Sequence, residues 1–142
     1  MKMPKKLSSK KAAKATANKW FSRFIRLRDV DKSGVCRCIT CGAPHHWKNI
    51  DCGHFQKSRF TNTRYDEENC HAQCRKCNSF EGGRDFEYGR EIDRKLGEGT
   101  AERLFHKAHQ RSAGMKKFDY EMKAEEYREK AKQIASEKGI EI

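Results

Sequence analysis

Four cysteines are spaced for metal chemistry. Cys38-Ile-Thr-Cys41 and Cys74-Arg-Lys-Cys77 are two C-x-x-C knuckles, and two such turns supply four thiolates that close tetrahedrally on Zn²⁺. A redox C-x-x-C needs one copy and a thioredoxin-like setting, which this chain lacks. Cys36 makes the first knuckle ambiguous, as C-x-C-x-x-C, while Gly42 after Cys41 favours Cys38 and Cys41 as the pair. Cys52 and Cys70 are left over as spare thiols. Between Cys41 and Cys74 lie 32 residues, against roughly 15–20 in a plain zinc ribbon. A long insertion on a metal scaffold is usually functional.

The insertion and its flank carry a second constellation. Asp51-Cys-Gly-His54-Phe55 sets a histidine in an expected strand, with a carboxylate three residues before it. Asn69 precedes the second knuckle, and Cys77-Asn78-Ser-Phe-Glu81 joins an amide and a carboxylate to that knuckle where a helix should start. Hydrolysis of a phosphodiester needs a base to deprotonate water and a hard cation to offset charge on the phosphate. Histidine titrates near the working pH, and Asn, Asp and Glu oxygens suit Mg²⁺. Taken singly, His54 is more often structural or a zinc ligand, Asn69 a helix cap, and Glu81 a surface charge. Taken together, between two knuckles of a basic chain, they point to a nuclease.

Composition narrows the partners. The chain has 142 residues with 32 Lys and Arg against 20 Asp and Glu, a net charge of +12. Residues 1–30 carry ten basic residues and one acid, whereas residues 81–142 carry 14 of each. A positive field of this kind suits a polyanion such as nucleic acid, or an anionic membrane surface. With 35% hydrophobic residues the core must be small, so a further staple is expected. No apolar run reaches the ~20 residues of a membrane span, and no apolar leader segment is present. The expected setting is therefore a reducing cytoplasm, where cysteines are metal ligands or free thiols before they are disulfides.

Several elements must position these groups. Residues 1–11 read as a basic disordered tail, and 12–30 as a basic amphipathic helix with Trp20, Phe21, Phe24, Ile25 and Arg28 on one face. Asp31-Lys-Ser-Gly34 ends it. A loop-rich block follows, with a short hairpin expected around Asn49–Gln56 and Asn62–Asp66. Tyr88, Ile92 and Leu96 are spaced by four, with Gly97 as a stop. Thr100 is placed to cap a helix whose Ala101, Leu104, Phe105 and Ala108 share one side. Tyr120, Ala124, Tyr127, Ala131 and Ile134 form a stripe on a last helix, which packs on its own domain or on a second copy.

The order C-x-x-C, G-H-F, E-N-x-H-A-Q-C-x-x-C-N, then Glu and Gly, resembles the zinc-bearing HNH (ββα-metal, or His-Me finger) nucleases. It is most similar to the phage NinG/Rap recombination nucleases, which act on branched DNA such as Holliday junctions and D-loops. The resemblance starts at Phe24-Ile-Arg-Leu-Arg-Asp29 and covers roughly residues 20–130. Cys77-Asn78-Ser-Phe-Glu81-Gly82 also resembles a stretch of phage endonuclease VII. The resemblance implies that His54 is the general base, that Asn69 orients the base or its loop, and that Asn78 is a metal ligand. It further implies that Glu81 assists at the metal. One departure stands out: an Asp or His usually precedes the base as a second ligand, but here Gly53 does. Asp51 shares Gly53's strand face and is the expected substitute.

The resulting expectation is an α+β, predominantly helical chain. A small ββα-metal (HNH-like) core over 36–97, stapled by a four-cysteine zinc, is flanked by the N-terminal helix and by C-terminal helices over 98–142. The implied activity is a Mg²⁺- or Mn²⁺-dependent DNA endonuclease, with Lys57, Arg59 and Arg64 nearest the flanking phosphates. Branched DNA as substrate and a homodimer follow from the resemblance, as does the cytoplasm of a bacterial host as the place of action. A non-catalytic zinc ribbon that binds nucleic acid, and a zinc-stabilised adaptor, are the competing readings.

Overall fold

A computed structural model describes residues 9–142, so most of the basic tail expected over 1–11 lies outside the described residues. Its last two residues, Lys10 and Lys11, already belong to helix α1, Lys10–Asp29. The Ser9 hydroxyl oxygen accepts from the Ala12 N–H at 3.1 Å, which satisfies a donor that the first turn leaves open. Arg26 and Arg28 fall in the last turn, where the helix dipole favours positive charge. The chain folds as two compact units.

Unit 1 joins the described residues through Phe24 with Gly114–Ile142. On α1 the buried residues Ala13, Ala17, Phe21 and Phe24 recur every three or four positions, and Trp20 is half-buried at their edge. Helix α5, Lys117–Lys138, buries Tyr120, Tyr127, Ala131 and Ala135. The Tyr127 ring meets Phe21 edge-on at 4.8 Å and Phe24 at 5.4 Å. The stripe from Tyr120 to Ile134 is therefore largely covered within its own unit. That corrects its candidacy as a dimer interface, because an apolar face already buried has little left to offer a second copy.

Unit 2, Ile25–Ala113, holds the metal-ligand candidates. Strands β1 (Val35–Arg37) and β2 (Pro44–His46) form an antiparallel hairpin, with Cys36 opposite His45. Its turn is the first knuckle, closed by the Gly42 N–H on the Cys38 carbonyl at 2.8 Å. Gly42 sits at φ 77°, where a Cβ is disfavoured. Strand β3 (Asp51–His54) pairs with β4 (Cys70–Gln73), bringing Asp51 opposite Gln73 and His54 opposite Cys70. The expected partner segment, 62–66, is no strand. Thr61–Arg64 form a short helix, α2, and the Asp66 carboxylate accepts from the Glu68 N–H at 2.9 Å to start a further turn at Glu67–Asn69.

After β4 the chain makes a single wide turn of helix, Lys76–Phe80. Gly82, Gly83 and Arg84 then take left-handed conformations before α3, Asp85–Leu96. The helix expected from Asn78 is thus interrupted after one turn. Tyr88 and Ile92 of α3 pack with Leu104 of α4 (Thr100–His109). Leu96 and Phe105, expected on the same faces, are 40% and 47% exposed. Thr100 is not the cap: Gly99 takes that position, and the Thr100 hydroxyl donates to the Gly97 carbonyl at 2.7 Å. The chain is α+β and predominantly helical as expected, with two small hairpins. No helix among the described residues is long and apolar enough to cross a membrane.

The C-terminal end of α1 anchors β4. Arg28 donates to the Glu67 and Cys70 carbonyls, each at 2.7 Å, and to Asp29 at 2.8 Å. Asp29 accepts in turn from the Ala72 N–H at 2.9 Å. Burial alone would raise the Asp29 pKa, but the hydrogen bond and charge of Arg28 outweigh it and hold the carboxyl below its ordinary value. Its stabilisation is therefore full above that ordinary value and is lost as pH falls through the lower folded-state value. Asp29→Asn, which leaves Arg28 without its counter-charge, is expected to cost about 3–5 kcal/mol in urea unfolding at pH 7. The cost should shrink as pH is lowered from the ordinary carboxyl value through the lower folded-state value. A cost that stays constant across that range would refute the charge assignment.

Candidate functional site

The two knuckles meet. The sulfurs of Cys38, Cys41, Cys74 and Cys77 all lie within 4.8 Å of one another, with Cys41 and Cys74 3.7 Å apart. Cys38, Cys74 and Cys77 are buried, and Cys41 is exposed. Burial pushes the Cys38 thiol up, but the Thr40 hydroxyl and the N–H groups of Cys74, Cys41 and Thr40 outweigh it, bringing the pKa down to about 6. Cys74 is pushed up to about 12 by burial and by its neighbouring sulfurs, against the Cys77 N–H. Four sulfurs this crowded do not all ionise without a cation among them, and the soft donor set is compatible with a structural zinc. Cys36 is outside the cluster. Its buried sulfur lies 3.2 Å from the Arg26 carbonyl oxygen, which resolves the C-x-C-x-x-C ambiguity in favour of Cys38 and Cys41.

On β3, alternation turns Asp51 and Gly53 to one face, and Cys52 and His54 to the other. The structure brings Asp51 and Asn78 together: the Asn78 amide Nδ2 donates to Asp51 Oδ2 at 3.2 Å, and Arg75 approaches Oδ1 at 3.5 Å. A carboxylate and an amide are hard oxygen donors, the type that Mg²⁺ takes beside its own waters. Glu81 stands apart from them, in ion pairs with Lys76 at 3.7 Å and Arg84 at 3.4 Å.

Gly53 has a physical reason for lacking a side chain. A Cβ there would fall 2.2 Å from Gln73 Oε1 and 2.7 Å from Gln73 Cβ. Gln73 is fully buried, and its Nε2 is tied to the Thr40 hydroxyl at 3.2 Å and the Gly83 carbonyl at 2.9 Å, so it has nowhere to retreat. A side chain at position 53 is therefore excluded by packing. Gly53→Ala is expected to destabilise the chain by about 1–3 kcal/mol in chemical denaturation. In a double-mutant cycle, Gly53→Ala should cost less in a Gln73→Gly background, which removes both clashing atoms, than in the wild type. An equal cost in both backgrounds would show that the clash is not the cause.

His54 lies at the end of β3, its Nε2 3.0 Å from the Arg64 carbonyl oxygen. A carbonyl only accepts, so Nε2 carries the proton and Nδ1 is the basic nitrogen. Burial lowers the His54 pKa below the ordinary value; the Arg64 carbonyl opposes this, and the Arg64 and Lys57 charges add to it. Asn69 is fully buried and works as a clasp. Its Oδ1 accepts from the Gln56 N–H at 2.7 Å, and its Nδ2 donates to the Gln56 and Thr63 carbonyls at 3.0 and 3.1 Å. It thereby fixes both arms of the loop that follows His54.

The three expected phosphate contacts fare differently. Arg59 is exposed and lies over the Phe60 ring at 4.6 Å. Lys57 pairs with Asp85 and the Gly82 carbonyl, each at 3.0 Å. Arg64 departs from the expectation: it is 5% exposed, and its Nε donates to the Ser58 carbonyl at 2.6 Å. It braces the loop from inside, because a buried guanidinium tied to a backbone carbonyl does not face an incoming strand.

One grouping escaped the sequence reading. Cys52, His54 and Cys70 place their ligand atoms within 4.8 Å of one another. The signal available was Cys52-x-His54, two ligands with the strand spacing that puts both on one face. Their partner Cys70 lies across the sheet, and only the register reveals it.

A family model described as NinG, Bacteriophage Lambda NinG protein, matches residues 2–137. No curated protein and no solved structure matches the chain.

Proposed function

The chain belongs to the NinG family, and from that premise we propose that it is a metal-dependent DNA endonuclease, specific for branched DNA, built on a zinc-stapled HNH-like core. The observation that carries the reading is the Asp51–Asn78 pair at 3.2 Å, attached to the second knuckle and to the strand that bears His54. Asp51 stands in for the ligand that Gln73 excludes from position 53.

In the proposed reaction His54 Nδ1 takes a proton from the attacking water, while Nε2 stays on the Arg64 carbonyl and holds the ring in place. Asp51 and Asn78 would hold Mg²⁺ or Mn²⁺, which when bound would supply stabilisation of the charge that builds on the phosphate. Glu81, paired with Lys76 and Arg84, would assist from outside that pair. Asn69 keeps the loop after the base in one conformation. Arg59 and Lys57 are the cations for flanking phosphates, and the net charge of +12 supplies the sequence-independent grip on DNA. Cys38, Cys41, Cys74 and Cys77 hold Zn²⁺ as a staple and take no part in chemistry. Two symmetric cuts in a junction call for two chains, so the active form is a homodimer that pairs through a surface other than the Tyr120–Ile134 stripe.

His54 accepts a proton only when neutral. Its pKa is displaced below the ordinary histidine value of about 6.5, so the acid limb of cleavage against pH should be centred below that value, with activity lost as pH falls through it. An acid limb centred above it would contradict the role. The reading as a whole is tested by incubating the chain with a labelled four-way junction, a linear duplex and a single strand, with and without Mg²⁺. Mg²⁺-dependent cutting of the junction alone supports it. Cutting all three equally removes the structure-specific part, and cutting none removes the nuclease.

One observation favours a second reading, a zinc-stapled DNA-binding module without catalysis: β3 turns Asp51 and His54 to opposite faces. That module would retard DNA in a salt-dependent way and leave it uncut at every Mg²⁺ concentration.

A further inference from the structure

We propose that Cys52, His54 and Cys70 form a second metal site, separate from the four-cysteine cluster, that takes Zn²⁺ through two thiolates and one imidazole. All three side chains lie on one face of the β3–β4 hairpin. His54 is directly opposite Cys70, and Cys52 is two residues before His54 on the same strand. Their ligand atoms fall within 4.8 Å of one another, so small side-chain adjustments bring them to a common ion at the 2.0–2.3 Å of Zn–N and Zn–S bonds.

The donor set selects the metal class. Two sulfurs and an imidazole are soft and borderline donors that favour Zn²⁺ over Mg²⁺ or Ca²⁺. On binding, the two thiols release their protons to solvent, and their two negative charges balance the ion. Three protein ligands leave a fourth position for water, the pattern of an open rather than a closed zinc site. The surroundings hold the ligands in place. Cys70 is fully buried, the Asn69 amide lies 3.9 Å from its sulfur, and Arg28 holds its carbonyl at 2.7 Å. Cys52 is only half-buried, which gives an ion a way in.

Occupancy has a consequence for the proposed chemistry, and this part rests on the reading of His54 as the base. An imidazole whose lone pair is on zinc takes no proton from water. Zinc in this site is therefore an off switch for cleavage, and Mg²⁺ does not relieve it, because Mg²⁺ does not compete for sulfur.

The test loads the full chain with Co²⁺ or Zn²⁺ under a non-thiol reductant. The wild-type chain should take two equivalents, the second with release of protons and with its own sulfur-to-cobalt absorption. Cys52→Ala and Cys70→Ala should each take one, with the cobalt spectrum of the four-cysteine cluster retained as the sign of a folded chain. In parallel, junction cleavage in Mg²⁺ is followed as zinc is raised from one to two equivalents. Wild-type cleavage should stop, and cleavage by Cys52→Ala should lose that sensitivity. A wild-type chain that saturates at one equivalent overturns the site. Two equivalents with undiminished cleavage overturn the switch. Two equivalents in a chain that cuts no DNA under any condition refute the base reading and leave the metal site standing.

Discussion

Cys74→Ser is expected to unfold unit 2. Serine is nearly isosteric but is a poor zinc ligand, so the substitution isolates the metal bond from packing. Cys74 is 5% exposed, follows directly on β4, and lies 3.7 Å from Cys41 on the other knuckle. The cluster ties two hairpins whose own hydrogen-bond ladders are only three and four residues long, and isolated hairpins of that size are marginal in water. Besides the cluster of Tyr88, Ile92 and Leu104, the unit buries Ile25, Leu27, Val30, Trp47, Ile50 and Tyr65, a modest core to set against the entropy of the loops. Structural zinc contributes about 10–16 kcal/mol of apparent binding energy to small domains at neutral pH, as much as the net stability of about 5–15 kcal/mol typical of a whole domain. The substituted chain should lose the metal of the four-cysteine cluster and the cooperative unfolding of unit 2. A chelator strong enough to strip zinc from the wild type should have the same effect. Retained unfolding cooperativity with the metal gone would mean that packing alone holds the unit.

His54→Ala carries the second large effect. A positioned general base contributes about 10²–10⁴-fold to the rate, and the variant should lose that much in junction cleavage while keeping its affinity for DNA. His54 is half-buried, and its Nε2 bond goes to the Arg64 carbonyl, which ends a four-residue helix. His54→Gln tests geometry against chemistry. A glutamine can keep a donor on the Arg64 carbonyl but cannot take the proton, so it should be as slow as alanine with a folded loop. Cleavage within a few-fold of wild type by either variant would remove His54 from the mechanism.

Much of the frame is legible in the sequence because the signals are local. The knuckles, α1, the stop at Gly97 and the four-residue spacing of Tyr88 and Ile92 each depend on neighbours within one or two turns. What the sequence hides is non-local. The partner of β3 lies beyond a loop from Phe55 to Asn69, and nothing in 62–66 marks a helix there or the turn that Asp66 caps after it. Leu96 and Phe105 satisfy the period of their helices, yet both stay well exposed. Arg64 reads as a surface cation because arginine mostly is one; its burial depends on the Ser58 carbonyl, six residues away. Of the site, the ligand types and the nearness of Asp51 to Asn78 are readable. The grouping of Cys70 with Cys52 and His54 needs the register of the hairpin.

The packing of Gln73 on Gly53 couples the two positions. Because they compete for the same space, they cannot be altered independently. A side chain introduced at position 53 must meet a position 73 already reduced, or it clashes. The order in which the two positions are changed therefore decides whether the sheet keeps its packing.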